Sequence, residues 1–206
     1  MKKGFTLIEL LIVVAIIAIL AAIAIPNFLA AQVRSKVSRV KSELRIIGTG
    51  LECYYVDNND YPLEYLFEPY PWPASDTRTF EYKRHEYAYK QLTTPIAYLT
   101  SIPVDPFKQG GRDGSSHLAN PYYWYYNWQG RVIGNKPYGQ LFDIVKSSNW
   151  APWFSGEWAG IVISIGPSFK TFGASEGYGG FETYDPSNGT VSPGYINRLF
   201  PSGPQI

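Results

Sequence analysis

From Leu10 to Ile25 the chain carries no polar side chain, and Phe5 to Ile8 extend that run with only Thr6 mildly polar. The length suits a span of about 20 residues across a bilayer core. One carboxylate interrupts the run. Glu9 stands between Ile8 and Leu10, where an acidic residue costs roughly 2.5–3.5 kcal/mol if it lies at a helix centre in the membrane. Three fates fit such a segment. It is a secretory signal cut after the small residues Ala22-Ile23-Ala24, an uncut signal anchor, or a segment retained after a cut between Gly4 and Phe5.

Glu9 and the residues beyond Pro26 separate these fates. A signal core gains nothing from an acid near its start. Past Pro26, apolar residues recur at Val33, Val37, Val40, Leu44, Ile47, Leu51 and Tyr54, in alternating steps of four and three. Arg34, Ser35, Ser38, Lys41 and Ser42 fall between them, so the segment is a helix with one apolar stripe. Span and stripe together predict one helix from Phe5 to about Cys53, roughly 75 Å long at 1.5 Å per residue. Pro26 lacks the backbone N–H of a helix interior and is expected to kink or locally melt it.

"KGFTLIELLIVVAIIAILAAIAIPNF" closely resembles the prepilin-type leader of type IV pilins and type II secretion pseudopilins. The matching features are a short basic leader ending in Gly4, the aromatic Phe5, the acid Glu9, the apolar helix and Pro26. The resemblance implies cleavage after Gly4 by a prepilin peptidase and N-methylation of the new amine on Phe5. It further implies an inner-membrane pool of subunits, an assembly platform, and polymerisation with other pilins or pseudopilins into a helical filament. In that setting Glu9 has a partner, the amine of Phe5 on its own chain or on a neighbour. Such a pair at about 4 Å attracts by roughly 4 kcal/mol at an effective dielectric of 20. Unpaired, the same charges are penalised, so the pair specifies register.

Arg34, Lys36, Arg39, Lys41 and Arg45 follow the span, against Lys2 and Lys3 before it. The positive-inside rule alone places the larger domain in the cytoplasm. The leader resemblance implies the opposite orientation, with the domain outside, and it is the more specific signal. The basic cluster is either the solvated side of the helix or a contact for acidic groups of adjacent subunits.

The remaining chain divides into a connecting region, 54–108, and a C-terminal β region, 109–206, after a leader of residues 1–4 and a helix of residues 5–53. "YYVDNNDYP" breaks the helix. Pro69, Pro71 and Pro73 mark an irregular connection, and "HEYAYKQL" reads as a second short helix. "LTTPIAYLTSIPVDPF" resembles a segment of secretion-type pseudopilins and is expected to wrap over the helix and the sheet edge. "YYWYYNW", "GIVISIG", "FETYD" and "TVSPGYINRL" read as short strands, with a turn at Asp185-Pro186-Ser187-Asn188-Gly189. The expected fold is α+β and pilin-like, with three to five antiparallel strands packed on the Val33–Leu51 stripe.

Composition narrows the chemistry. A net charge of +1 gives no argument for nucleic acid as a partner. Cys53 is the only cysteine, so no internal disulfide forms, and with only His85 and His117 beside it a zinc site is not expected. No nucleophile motif is present, and "GASEGYGG" lacks the lysine of a phosphate loop. Asn188-Gly189-Thr190 fits a glycosylation pattern but also a tight turn. Major pseudopilins hold their C-terminal loop with calcium; here that resemblance points to Glu176, Glu182 and Asp185 as hard-oxygen ligands. Ser168 and Lys170 stand where an aspartate-rich loop is expected, so the pattern is broken. The rings from Tyr122 to Trp128 either stack on sugars, making a membrane-tethered glycan-binding domain, or form the core between sheet and stem. The reading carried forward is a non-enzymatic filament subunit, leaning to the secretion-type pseudopilus.

Overall fold

A computed structural model describes residues 4, 6–63, 85–108, 121–127, 132–133, 136–137, 159–167, 183–187 and 194–201. Its dominant element is helix α1, Leu7–Asn58, 52 residues and about 78 Å long at 1.5 Å per residue. Thr6 begins it with extended backbone (φ −85°, ψ 148°). Asn59 ends it in the left-handed region (φ 52°, ψ 26°), donating its N–H to the Tyr55 carbonyl at 2.7 Å. Asparagine tolerates that conformation better than most side chains, which is why the chain turns there. The helix therefore runs five residues past Cys53, to the first residue pair able to close it.

Pro26 does not melt the helix, which is continuous through it. The neighbouring Asn27 side chain donates to the Ile23 carbonyl at 3.0 Å, an extra polar contact within the turn that proline weakens.

The head packs on the upper part of this stem. Strands β1 (Trp124–Asn127), β4 (Gly160–Ser164) and β5 (Ile196–Phe200) form an antiparallel sheet in the order β1-β4-β5. Strands β2 (Val132–Ile133) and β3 (Lys136–Pro137) make a separate two-stranded pair. β4, buried along its whole length, is the central strand, as its Ile-Val-Ile run requires. Gly160 begins it because a Cβ there would collide with the Tyr126 carbonyl and the Phe200 ring.

Val37, Val40, Leu44, Ile47 and Leu51 are buried against the sheet, with Val33 and Tyr54 packed at the edge of the same core. Burying five such aliphatic chains contributes on the order of 8–15 kcal/mol before entropy is counted. The stripe read from the sequence is thus the face that the head covers, and the fold is α+β. Residues 85–91, within "HEYAYKQL", are helical, and His85 Nδ1 accepts the Tyr125 N–H at 3.1 Å.

The segment from Leu92 to Lys108 fastens the sheet edge to the stem. Leu99 packs where Gly50 leaves no room for a side chain, and Val104 bridges to Tyr122. Asp105, fully buried, accepts the N–H groups of Phe107 (2.9 Å) and Ile165 (3.2 Å). Burial pushes its pKa up, opposed by nearby Lys108 and by those hydrogen bonds.

"FETYD" contributes a single bridge, Thr183 to Tyr195, among the described residues. The turn at Asp185 is described only as far as Ser187. Tyr123, Trp124 and Tyr125 are buried in the core, and Tyr125 stacks on Phe200 with ring centroids 5.5 Å apart. These rings form no open platform for a sugar. Trp128 lies outside the described residues.

Candidate functional site

The surface that the fold leaves uncovered is the lower stem. From Leu7 to Leu29 the large apolar side chains are about half exposed or more, Leu7 at 80%. Over 23 residues this face rises roughly 34 Å, close to the thickness of a bilayer core. The helix is long and apolar enough to cross a membrane.

At its N-terminal end Thr6 and Glu9 form a reciprocal cap. Glu9 Oε2 accepts the Thr6 N–H at 2.8 Å and the Thr6 hydroxyl at 2.6 Å. The Glu9 N–H in turn approaches Thr6 Oγ1 at 3.4 Å. Such a box satisfies backbone donors that the first helical turn leaves without partners. Glu9 thus has a local role that its apolar surroundings do not suggest. The Thr-x-x-Glu spacing of Thr6 and Glu9 is the sequence signal for it.

Gly4, after which the leader resemblance expects a cut, is exposed, with open space where a side chain would stand. Phe5 lies outside the described residues. Pro26 is exposed on the apolar span. The cap therefore brings Glu9 to Thr6, immediately after the position where the Phe5 amine would be created.

Of the three carboxylates considered for calcium, Asp185 alone lies among the described residues. Glu176 and Glu182 lie outside the described residues. Asp185 is exposed, and its Oδ1 accepts the Ser187 N–H at 2.8 Å. That hydrogen bond from the Ser187 backbone, with a further one from its side chain, holds the Asp185 pKa below the usual carboxylate range. It is a charged, hard oxygen donor, and one such donor does not make a site. Among the described residues no group of three or more His, Cys, Asp or Glu is placed to hold a metal.

The junction of stem and head holds the polar contacts that periodicity could not reveal. Glu43 Oε1 pairs with Arg39 at 2.7 Å, while its Oε2 accepts the Tyr123 hydroxyl at 2.5 Å. Tyr98 donates to Asp57 at 2.7 Å near the top of the stem. Below these contacts, Arg34, Ser38, Lys41 and Arg45 line an open groove of about 510 Å³ closed on its other side by Tyr184 and Pro186.

A capped apolar helix that leaves its lower half bare and carries a small antiparallel sheet on its upper half is the α+β architecture of a pilin-like protein. Comparison with known proteins places the chain more closely. Residues 1–25 match the family described as the prokaryotic N-terminal methylation motif. The type IV major pilin protein PilA of Myxococcus xanthus is 54% identical over 60 residues, 29% of this chain and 27% of that protein. The type IV wide pilus major component PilA4 of Thermus thermophilus is 58% identical over 59 residues, 29% of this chain and 45% of that protein.

The type II secretion system core protein G of Pseudomonas aeruginosa is 29% identical over 137 residues. That alignment covers 58% of this chain and 94% of the relative. The chain thus spans less than half the length of the two pilins it matches, and nearly all of the secretion protein. No solved structure matches it.

Proposed function

We propose that the chain is a structural subunit of a filament, either a type IV pilus or a type II secretion pseudopilus, and that it performs no catalysis. A prepilin peptidase cuts after Gly4, and the amine of Phe5 is methylated. The apolar stem holds the subunit in the inner membrane as a single span, with the head outside the cytoplasm. An assembly platform then moves subunits into a helical filament alongside other pilins or pseudopilins, with the lower stems bundled in its centre.

The observation that carries this reading is the bare face from Leu7 to Leu29, which has one carboxylate, Glu9, at its N-terminal end. A membrane covers that face in the stored subunit, and neighbouring stems cover it in the filament. Leader removal supplies the amine that Glu9 would otherwise lack as an ionic partner. Pro26 sits within the span, where a missing backbone donor lowers the cost of bending during that transfer.

The secretion-type pseudopilus is the better supported of the two machines. The match to the secretion core protein G covers 58% of the chain, more than the stem can supply, whereas the pilin matches each cover 29% of it. Calcium at Glu176, Glu182 and Asp185 is part of the same reading, and a chelator that leaves the melting temperature unchanged would remove it.

Electron microscopy of sheared filaments, with mass spectrometry of the subunit, tests the proposal. The expected mature N-terminus is methylated Phe5. Glu9→Leu is expected to insert into membrane but to be missing from filaments. Normal filaments from that variant would refute the role of Glu9.

A further inference from the structure

Two opposite charges meet the junction of stem and head without an ionic partner. Arg198 lies half-buried on β5 and makes no ion pair or hydrogen bond among the described residues. Its Nε is buried and has no acceptor. Glu52, on the stem, is half-buried too, and its Oε1 is buried with no donor. Its Oε2 accepts the Tyr61 hydroxyl at 3.3 Å, longer than the 2.5–3.0 Å usual for such a bond. A charge that loses water without gaining a counter-ion is costly, so both groups call for an explanation.

Gly48 relates them. A Cβ on Gly48 would collide with Arg198 Nε and stand 3.3 Å from its Cζ. Glycine is disfavoured in a helix interior, and here its missing side chain is the bed on which the arginine lies. Glu52 stands four residues further along the same face, with Cβ positions about 5–6 Å apart at that spacing. Helical side chains lean toward the N-terminus and cover the turn before their own Cα. Glu52 therefore leans toward the place that Arg198 occupies.

The strand agrees with the helix. Phe200, two residues beyond Arg198 on β5, packs on Tyr61 with ring centroids 4.7 Å apart, and Tyr61 is the residue that reaches Glu52.

We infer that Glu52 and Arg198 form an ion-pair latch over Gly48 that clamps the last strand of the sheet to the stem. In this structure the latch stands open, with no nitrogen of Arg198 within 4.0 Å of a Glu52 oxygen. Rotation of the two side chains closes it. Glu52 gives up only a long hydrogen bond, and Arg198 gives up none. The closed pair satisfies Oε1 and Nε together, as a carboxylate does when it meets a guanidinium side-on. β5 is an outer strand of the three-stranded sheet, so the latch acts where the sheet has a neighbour on one side only. It belongs to the single subunit and does not rest on the filament reading.

The test is a double-mutant cycle on the full chain held in detergent, with denaturant unfolding followed by tryptophan fluorescence. E52Q and R198Q each strand the other charge and are each expected to raise the unfolding constant about tenfold or more. E52Q/R198Q is expected to cost no more than the larger single change, which makes the coupling about tenfold. The reversed pair E52R/R198E is expected to recover most of the loss. E52Q also touches Tyr61, so the cycle is repeated in a Tyr61→Phe background, where the coupling should persist. Gly48→Ala puts a methyl group where Arg198 lies and is expected to remove the coupling. If a neutral variant fails to accumulate, Glu52→Asp and Arg198→Lys replace it, with a coupling of about threefold expected from the poorer geometry.

Losses that add to within about twofold overturn the latch, as does an R198Q chain that unfolds with the wild-type constant. A coupling that vanishes with Tyr61→Phe belongs to the Tyr61 hydroxyl and overturns it as well.

Discussion

The Tyr123 hydroxyl donates a 2.5 Å hydrogen bond to Glu43 Oε2, joining the start of the sheet to the middle of the stem across eighty residues of chain. Glu43 is held on its other oxygen by Arg39. The contact is the polar counterpart of the aliphatic stripe below and above it. Tyr123→Phe removes the donor and keeps the ring. Hydrogen bonds to charged groups contribute about 1.5–3 kcal/mol, so chemical denaturation of the detergent-held subunit is expected to show a loss of that size. Glu43→Gln combined with Tyr123→Phe is expected to cost less than the sum of the two.

Alkaline pH should loosen the same junction. Burial pushes the pKa of Tyr123 well above the ordinary tyrosine value, with the hydrogen bond to Glu43 adding to it, and burial does the same for Tyr89. Unfolded tyrosines ionise near pH 10. The folded values lie above the unfolded ones, so this contribution is complete below about pH 10 and is lost as the pH rises further. The expected slope is about 1.4 kcal/mol per pH unit for each tyrosine still protonated in the fold. Melting temperatures measured between pH 9 and 11 would reveal it; a flat profile would contradict the burial of both hydroxyls.

Gly160→Ala should destabilise the head although alanine is one of the smallest replacements. The new methyl would meet the Tyr126 carbonyl across the β1–β4 pairing and the Phe200 ring on β5. Overpacking of this kind costs about 1–3 kcal/mol. A lowered melting temperature with unchanged membrane levels is the expected result.

Thr6 separates the two roles of Glu9. Thr6→Val removes the hydroxyl of the cap and leaves the carboxylate, while Glu9→Gln keeps a group able to accept from Thr6 but removes the charge. If the charge serves assembly, Thr6→Val forms filaments and Glu9→Gln does not. Filament yield from the two variants, at matched membrane levels, decides it.

Much of the architecture was legible from residue order because the stem obeys a local rule. Val33 to Tyr54 repeat at helical spacing, and that stripe is the face the sheet covers. Glu9 was conspicuous for the opposite reason, as a charge that its surroundings disfavour. What could not be read were contacts between residues far apart in sequence. Nothing near Asp105 announces that it will accept the Ile165 N–H, sixty residues on, and nothing near Glu43 announces Tyr123. The run Tyr122 to Tyr126 is aromatic at every position, so it has no polar face to say which side is outside. Only the fold assigns Tyr123 and Tyr125 to the interior. Asn58 and Asn59 were read as a break, and the helix uses them as its last residue and its cap.

The head is attached along one flank of an unbroken rod, from Val33 to Tyr54, and not in line with it. A pull directed along the rod would therefore bypass the sheet. Load would pass from stem to stem through the shared apolar faces, and the heads would ride on the cable like beads glued to its side. A fibre built this way could have its outer domains altered in sequence, or even locally unfolded, without losing tensile strength.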